Sequence, residues 1–134
     1  MRMHVKLLLA SVAFMLCLSA TAGGDSYDVF VPISKYLSAG DSESLSAWFA
    51  DNLEISIMSS TNDSSRNQAK QILKSFFASH TPRSFEINHT ASRSNSKYAL
   101  GYLNAGGELF EVTIFVSKDK DRYKIQQLKI DRIR

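Results

Sequence analysis

The chain has 134 residues, with 16 Lys and Arg against 13 Asp and Glu, for a formal net charge of +3. That length accommodates one ordinary domain behind a leader, and the near balance of charge argues against nucleic acid or an acidic membrane surface as partner. A single cysteine, Cys17, excludes an internal disulfide framework and a cysteine-built metal site.

The N-terminal segment reads "MRMHVKLLLASVAFMLCLSATAGG". Arg2 and Lys6 form a basic region, Leu7 to Leu18 an apolar stretch, and Ala20-Thr21-Ala22 a small-residue cleavage pattern. This is the pattern of a secretory signal peptide over residues 1–22, and its apolar part is too short for a membrane anchor. No later segment approaches the roughly 20 apolar residues of a membrane helix, so no transmembrane segment is expected after cleavage. Leu16 directly precedes Cys17 and Phe14 stands two residues before Leu16, which does not fit a lipoprotein signal. Cleavage after Ala22 leaves 112 of the 134 residues, Gly23 to Arg134, as one domain without cysteine. The loss of Arg2 and Lys6 leaves 14 bases against 13 acids. An exported protein, periplasmic or extracellular, is expected.

In the mature chain Phe30, Ile33, Tyr36 and Leu37 recur at helical spacing, with Pro32 in the first turn and Gly40 as the stop. Asp41 or Ser42 caps a second short helix, Glu43 to Ala50, whose Leu45, Trp48 and Phe49 are expected in the core. Leu53 to Met58 alternates as a half-buried strand. "SSTNDSS" reads as a polar loop. Ser65 and Gln68 form an S-x-x-Q capping box, so this polar pair caps a helix rather than building a site. In that helix Ala69, Ile72, Leu73, Phe76 and Phe77 form a wide apolar stripe, ended by Thr81-Pro82. Four strands follow: Ser84 to Arg93, Lys97 to Asn104, Glu108 to Lys118 and Arg122 to Arg132, joined at hairpin spacing. The last shifts phase between Ile125 and Leu128, which predicts a β-bulge at Gln126-Gln127.

Helices, one strand, a long helix and a four-strand antiparallel meander together predict an α+β fold with helices on one sheet face. A curved antiparallel sheet wrapped around a long helix is the cystatin-like cone of the nuclear-transport-factor-2-like superfamily. The segments "DVFVPISKYLSAGDSESLSAWFADNLEI", "QAKQILKSFF", "FEINH", "YALGYL" and "IQQLKI" resemble a family of small exported Bacteroidetes proteins of unknown function. The resemblance covers nearly all of residues 23–134 and implies the cone fold and an export signal, without an activity. The wider superfamily ranges from isomerases and cyclases to binding and dimerisation modules.

Alternation places Phe85, Ile87, His89 and Ala91 on one face, and Tyr98, Leu100, Tyr102 and Asn104 on one face of the next strand. If both faces are concave, His89, Tyr98, Tyr102, Asn104 and Phe76 line a pocket for a small apolar or amphipathic ligand. There His89 is either a general base or a structural imidazole bonded to a tyrosine or a backbone carbonyl. An isomerase-type site needs a carboxylate base opposite hydroxyl donors. Glu54, Glu86 and Glu111 alternate onto the other face, Asp51 ends a helix, and the direction of Asp131 depends on the bulge. The sequence thus favours a binding or interaction module, with an isomerase- or cyclase-like enzyme using His89 as the rival. No cofactor is expected. No metal site is expected either, because His80 ends a helix and His89 lies in a strand, without ligand spacing. "AGG" at Ala105-Gly107 reads as a hairpin turn and "KDKDR" as a solvated turn. Leu109, Thr113 and Phe115, with Ala99, Gly101 and Leu103 beside them, are expected on the convex face. They suit a sheet-to-sheet homodimer, the third reading.

Overall fold

The computed structural model describes residues 28–133. The signal-peptide segment lies outside the described residues. The first helix, α1 (Phe30–Ala39), starts where the Asp28 carboxylate accepts a hydrogen bond from the Phe30 N–H at 2.9 Å. It buries Phe30, Ile33 and Leu37, the expected stripe. Gly40 stops it at φ 68°, and a Cβ there would meet Pro82 at 3.0 Å, so conformation and space both require glycine. Helix α2 (Ser42–Ser46) is shorter than expected, and the Asp41 carboxylate accepts from the Ser44 N–H at 3.0 Å. That backbone bond, foremost among its causes, holds the Asp41 carboxyl below its ordinary range.

Strand β1 (Phe49–Ile57) runs into β2 (Ser60–Ser65), the segment expected to be a loop. Ile57 pairs with Ser60, so Met58 and Ser59 form a two-residue turn, with φ of 50° and 72°. β2 carries no apolar alternation because it is a sheet edge. It pairs with β1 alone, and of its side chains only Ser64 is buried. Helix α3 (Arg66–Ser79) then begins at Ser65, whose hydroxyl accepts from the Gln68 N–H at 3.2 Å, as the capping pattern predicts. It buries Ala69, Leu73, Phe76 and Phe77, each large side chain contributing roughly 1.5–3 kcal/mol.

The meander is β3 (Pro82–Ser92), β4 (Ser96–Ala105), β5 (Glu108–Asp119) and β6 (Arg122–Arg132). The sheet order is β2-β1-β6-β5-β4-β3. The α+β class and the curved sheet hold, but the β1–β6 pair is parallel, which makes the sheet mixed rather than antiparallel throughout. Phe115 pairs with Gln127 and Val116 with Ile125, so Gln126 is the extra residue of a bulge where the phase shift predicts one. A second irregularity was not foreseen: Ile87 pairs with Gly101 but His89 with Leu100, which leaves Asn88 as the extra residue.

The inner face of β4 consists of Ala99, Gly101, Leu103 and Ala105, all buried, opposite to the predicted phase. The reason is space. A Cβ on Gly101 would lie 2.5 Å from the Glu86 carbonyl oxygen and 2.7 Å from the Phe85 ring. The Phe85 ring already occupies the volume under β4, and α1 packs on β3 and β4, so only small residues and one leucine fit inside. The core between helices and sheet is filled, with Leu45, Phe49, Leu73, Leu103 and Phe110 fully buried.

Gly101→Ala should destabilise the fold by about 1–3 kcal/mol through overpacking, read as a lower denaturant midpoint at unchanged m. Replacing Met58-Ser59 by Asn-Gly should instead raise stability by about 0.5–1 kcal/mol, because both positions adopt positive φ. An unchanged midpoint for that pair would mean the turn carries no strain.

Candidate functional site

Register decides which side chains meet. Residues paired across a ladder share a face, so His89, Leu100, Thr113 and Lys129 lie in one row, and Ala91, Tyr98, Phe115 and Gln127 in the next. Both rows are on the outer face. His89 is exposed there because the Asn88 bulge moves it off the face of Phe85 and Ile87. Tyr98, Tyr102 and Asn104 are half-buried on the same outer face. Phe76 lies on the inner side, stacked on His80 at 4.8 Å and edge-on to Phe110 at 5.2 Å. The sheet separates Phe76 from the other four, and the expected five-residue pocket does not form.

The same inversion carries the tyrosines to the outer face, where Glu86 and Glu111 were expected and lie. Tyr102 pairs with Glu86 on one side and Glu111 on the other, and Glu111 pairs with Asp131. Donors and carboxylates do share a face, but it is the convex one. Asp131 accepts from the Ser59 N–H at 3.2 Å and faces Lys129 at 3.5 Å, which fixes its direction. The outer apolar band consists of Tyr98, Leu100, Tyr102, Thr113 and Phe115; Leu109, Thr113 and Phe115 are outward as expected, while Ala99, Gly101 and Leu103 are not.

His80 proves more enclosed than His89. It caps α3 between Phe76 and Phe110, its Nε2 3.8 Å from Glu108, whose other oxygen accepts from Arg132 Nε at 2.8 Å. That bond from Arg132 holds the Glu108 carboxyl below its ordinary range. The Gly106 turn lies against the His80 backbone, so the imidazole is packed rather than presented. Among the described residues no cluster of three or more His, Cys, Asp or Glu is arranged to hold a metal ion.

Two larger clefts remain. One, about 550 Å³, lies beside β1, β2 and the start of α3 and is lined by polar groups including Asn52, Glu54, Asp63 and Gln68. Glu54 there is engaged by Gln127 Nε2 at 2.7 Å. The other, about 440 Å³, opens at the mouth of the cone between Val29, Trp48, Asp121, Arg122 and Tyr123. A smaller groove of about 170 Å³ extends it past Ala47 to Lys124. Trp48 is pinned at this mouth because its carbonyl accepts from the Ile125 N–H at 2.7 Å, and the neighbouring Ala47 carbonyl accepts from Lys124 Nζ at 2.9 Å.

The inner face changes character at this end. Lys97 pairs with Val116, Val116 with Ile125, and Lys118 with Tyr123, so Lys97, Lys118 and Tyr123 continue the concave face beyond its apolar rows. Their ammonium groups lie 5.0 and 5.6 Å from the Tyr123 ring centroid. Desolvation, ahead of repulsion from Arg66 and Arg122, lowers the Lys124 pKa. By sequence alone Trp48 is expected in the core and "KDKDR" as a solvated turn. Extending the Val116 and Ile125 alternation by one step would have placed Lys118 and Tyr123 inside; Lys97 needed the correct phase of β4.

Residues 30–131 match the model of a domain of unknown function, DUF4783. The chain belongs to the DUF4783 family. A DUF4783 protein of Bacteroides uniformis is 25% identical, with 80% of this chain and 99% of that chain covered and a TM-score of 0.77. More distant likenesses show the fold alone. A cystatin-like domain of unknown function from Nostoc punctiforme is 13% identical over 77% of this chain and 72% of that chain, with a TM-score of 0.62. A putative dehydratase of the NTF2-like family from Streptomyces avermitilis is 11% identical over 77% and 90%, with a TM-score of 0.58. No curated protein matches the chain. The DUF4783 domain is thus an NTF2-like, cystatin-like cone, as the sequence resemblance implies.

The two histidines should respond oppositely to truncation. His89→Ala should change stability by less than about 0.5 kcal/mol. His80→Ala should cost about 1–3 kcal/mol, because it empties a packed site between two phenylalanines. Chemical denaturation of the two variants measures both.

Proposed function

We propose that this DUF4783 protein is exported and acts as a non-catalytic binding module that holds a small apolar or amphipathic ligand at the mouth of the cone. The observation that carries this reading is the cleft of about 440 Å³ walled by Trp48, Tyr123 and Val29. Its volume falls in the range of small-molecule sites, roughly 300–1,000 Å³. Aromatic walls with a few polar groups at the rim are what such a ligand needs: apolar area for affinity and fixed charges for orientation. The filled interior directs the ligand to the mouth rather than deeper into the cone. Export is supported by the basic, apolar and small-residue pattern of residues 1–22. Among the described residues no helix is long and apolar enough to cross a membrane. The isomerase- or cyclase-like alternative loses its base, since His89 lies on the outer face away from this cleft.

A second reading rests on its own observation. Tyr98, Leu100, Tyr102 and Phe115 form a contiguous half-buried band on the outer face, suited to a second copy of the chain packing sheet to sheet. Leu100→Glu should then convert a dimer to a monomer in sedimentation equilibrium. A wild-type monomer at high concentration argues against it.

Native mass spectrometry of protein purified from its own host tests the binding reading and export together. The expected result is a mature mass beginning at Gly23 and a retained small molecule. Trp48→Ala and Tyr123→Ala should each weaken retention by roughly 30-fold, the effect of losing an aromatic anchor. A protein that carries nothing, with wild type and both variants alike, would contradict the binding reading.

A further inference from the structure

The concave face of this cone is apolar along its middle rows; Arg132, paired with Glu108, ends it at one side, and Lys97 and Lys118 end it at the other. Ala99, Leu103, Val112, Ile114, Val116 and Ile125 are fully buried, and the next inward positions are Lys97 and Lys118. Lys97 is half-buried and Lys118 exposed, and the two are gathered on one tyrosine ring. That ring, with Arg122, lines the cleft of about 440 Å³, and Lys124 lines the groove that continues it. Four cations of like sign around one opening repel one another unless something of opposite charge lies between them.

The protein's own carboxylates supply only part of it, Asp119 beside Arg122 and Asp121 in the cleft. None of the ion pairs among the described residues uses Lys97, Lys118, Arg122 or Lys124. Asp28, beside Val29, is engaged by the Phe30 N–H, and Asp51 is paired with Arg66 at 2.7 Å. Asp119 pairs across the β5–β6 ladder with Arg122. Asp121 is the one carboxylate that lines the cleft itself. Tyr123 offers its ring to both lysines and so holds their ammonium groups over the opening without neutralising them.

We propose that the mouth is an anion-selective site, whose ligand is a small amphiphile with one carboxylate, sulfonate or phosphate head and a flat or chain-like apolar body. The head lies between Lys97, Lys118 and Arg122, and the body lies against Trp48 and Val29. This deepens the binding reading and rests on it. A charged head supplies selectivity and orientation, while the aromatic wall supplies the buried area.

The test compares three probes of one shape: 2-naphthoate, neutral 2-naphthamide and cationic 2-naphthylmethylammonium. Each is titrated into the purified protein by calorimetry and followed on the one indole N–H signal, since Trp48 is the sole tryptophan. Naphthoate is expected to move that signal and to bind at least tenfold more tightly than naphthamide, with an affinity that falls as salt rises. The Lys97→Gln/Lys118→Gln variant is expected to lose roughly tenfold for naphthoate and nothing for naphthamide. Its unchanged naphthamide affinity also shows that the variant is folded. Equal binding of naphthoate and naphthamide would overturn anion selection and leave the apolar site standing. No response to any of the three would overturn both. Co-sedimentation with phosphatidylglycerol vesicles that 2-naphthoate does not compete would overturn the proposal in favour of a membrane-facing role.

Discussion

The Phe85 ring lies across Gly101, and this contact sets the phase of the central meander. With a ring 2.7 Å from where a Cβ would be, β4 can turn only its small-residue face toward the helices. Ala99, Gly101, Leu103 and Ala105 therefore go inside, and Tyr98, Leu100, Tyr102 and Asn104 go outside. Because side chains alternate with period two, one steric decision orients every residue of the strand. Its neighbours follow through the ladder, so Glu111, Thr113 and Phe115 join the outer face beside the tyrosines.

The bulges then modulate that plan. The extra residue at Asn88 sends His89 outward, and the extra residue at Gln126 lets Ile125 and Leu128 both point inward despite their odd spacing. The first removes the imidazole from any concave site. The second keeps Ile125, and Tyr123 two residues before it, on the same face as Leu128 and Ile130, so that the Tyr123 ring comes to the mouth with Trp48. The backbone bond from Ile125 to Trp48 ties these two walls together, joining the end of the helical layer to the start of β6.

The two proposed readings use two places of different chemistry. The mouth combines aromatic walls with Lys97 and Lys118, which make no ion pair among the described residues, a combination suited to small ligands. The outer face combines a half-buried aromatic band with the row of Glu86, Glu111 and Asp131 around Tyr102, a combination suited to a broad polar-rimmed contact. The likeness to the Bacteroides uniformis protein extends over nearly all of that chain, so the cone is the frame on which both surfaces are displayed.

Elements with strong local signals were legible in the amino-acid sequence by itself. The stripe of α3, its Ser65 cap, the Gly40 stop, the four meander strands and the Gln126 bulge all follow from spacing or from one residue's conformational preference. The family resemblance was legible too. Three features required the tertiary structure. "STNDSS" became a strand because β1 offered it a hydrogen-bonded partner, and an edge strand needs no apolar face. The phase of β4 was ambiguous because both faces alternate regularly. The larger residues looked like the inner ones until the Phe85 ring had filled the space. The grouping at the mouth escaped a local reading because Trp48, Lys97, Lys118 and Tyr123 come from four separate elements or their ends. Alternation shows that a strand has two faces; only packing volume decides which of them the helices cover.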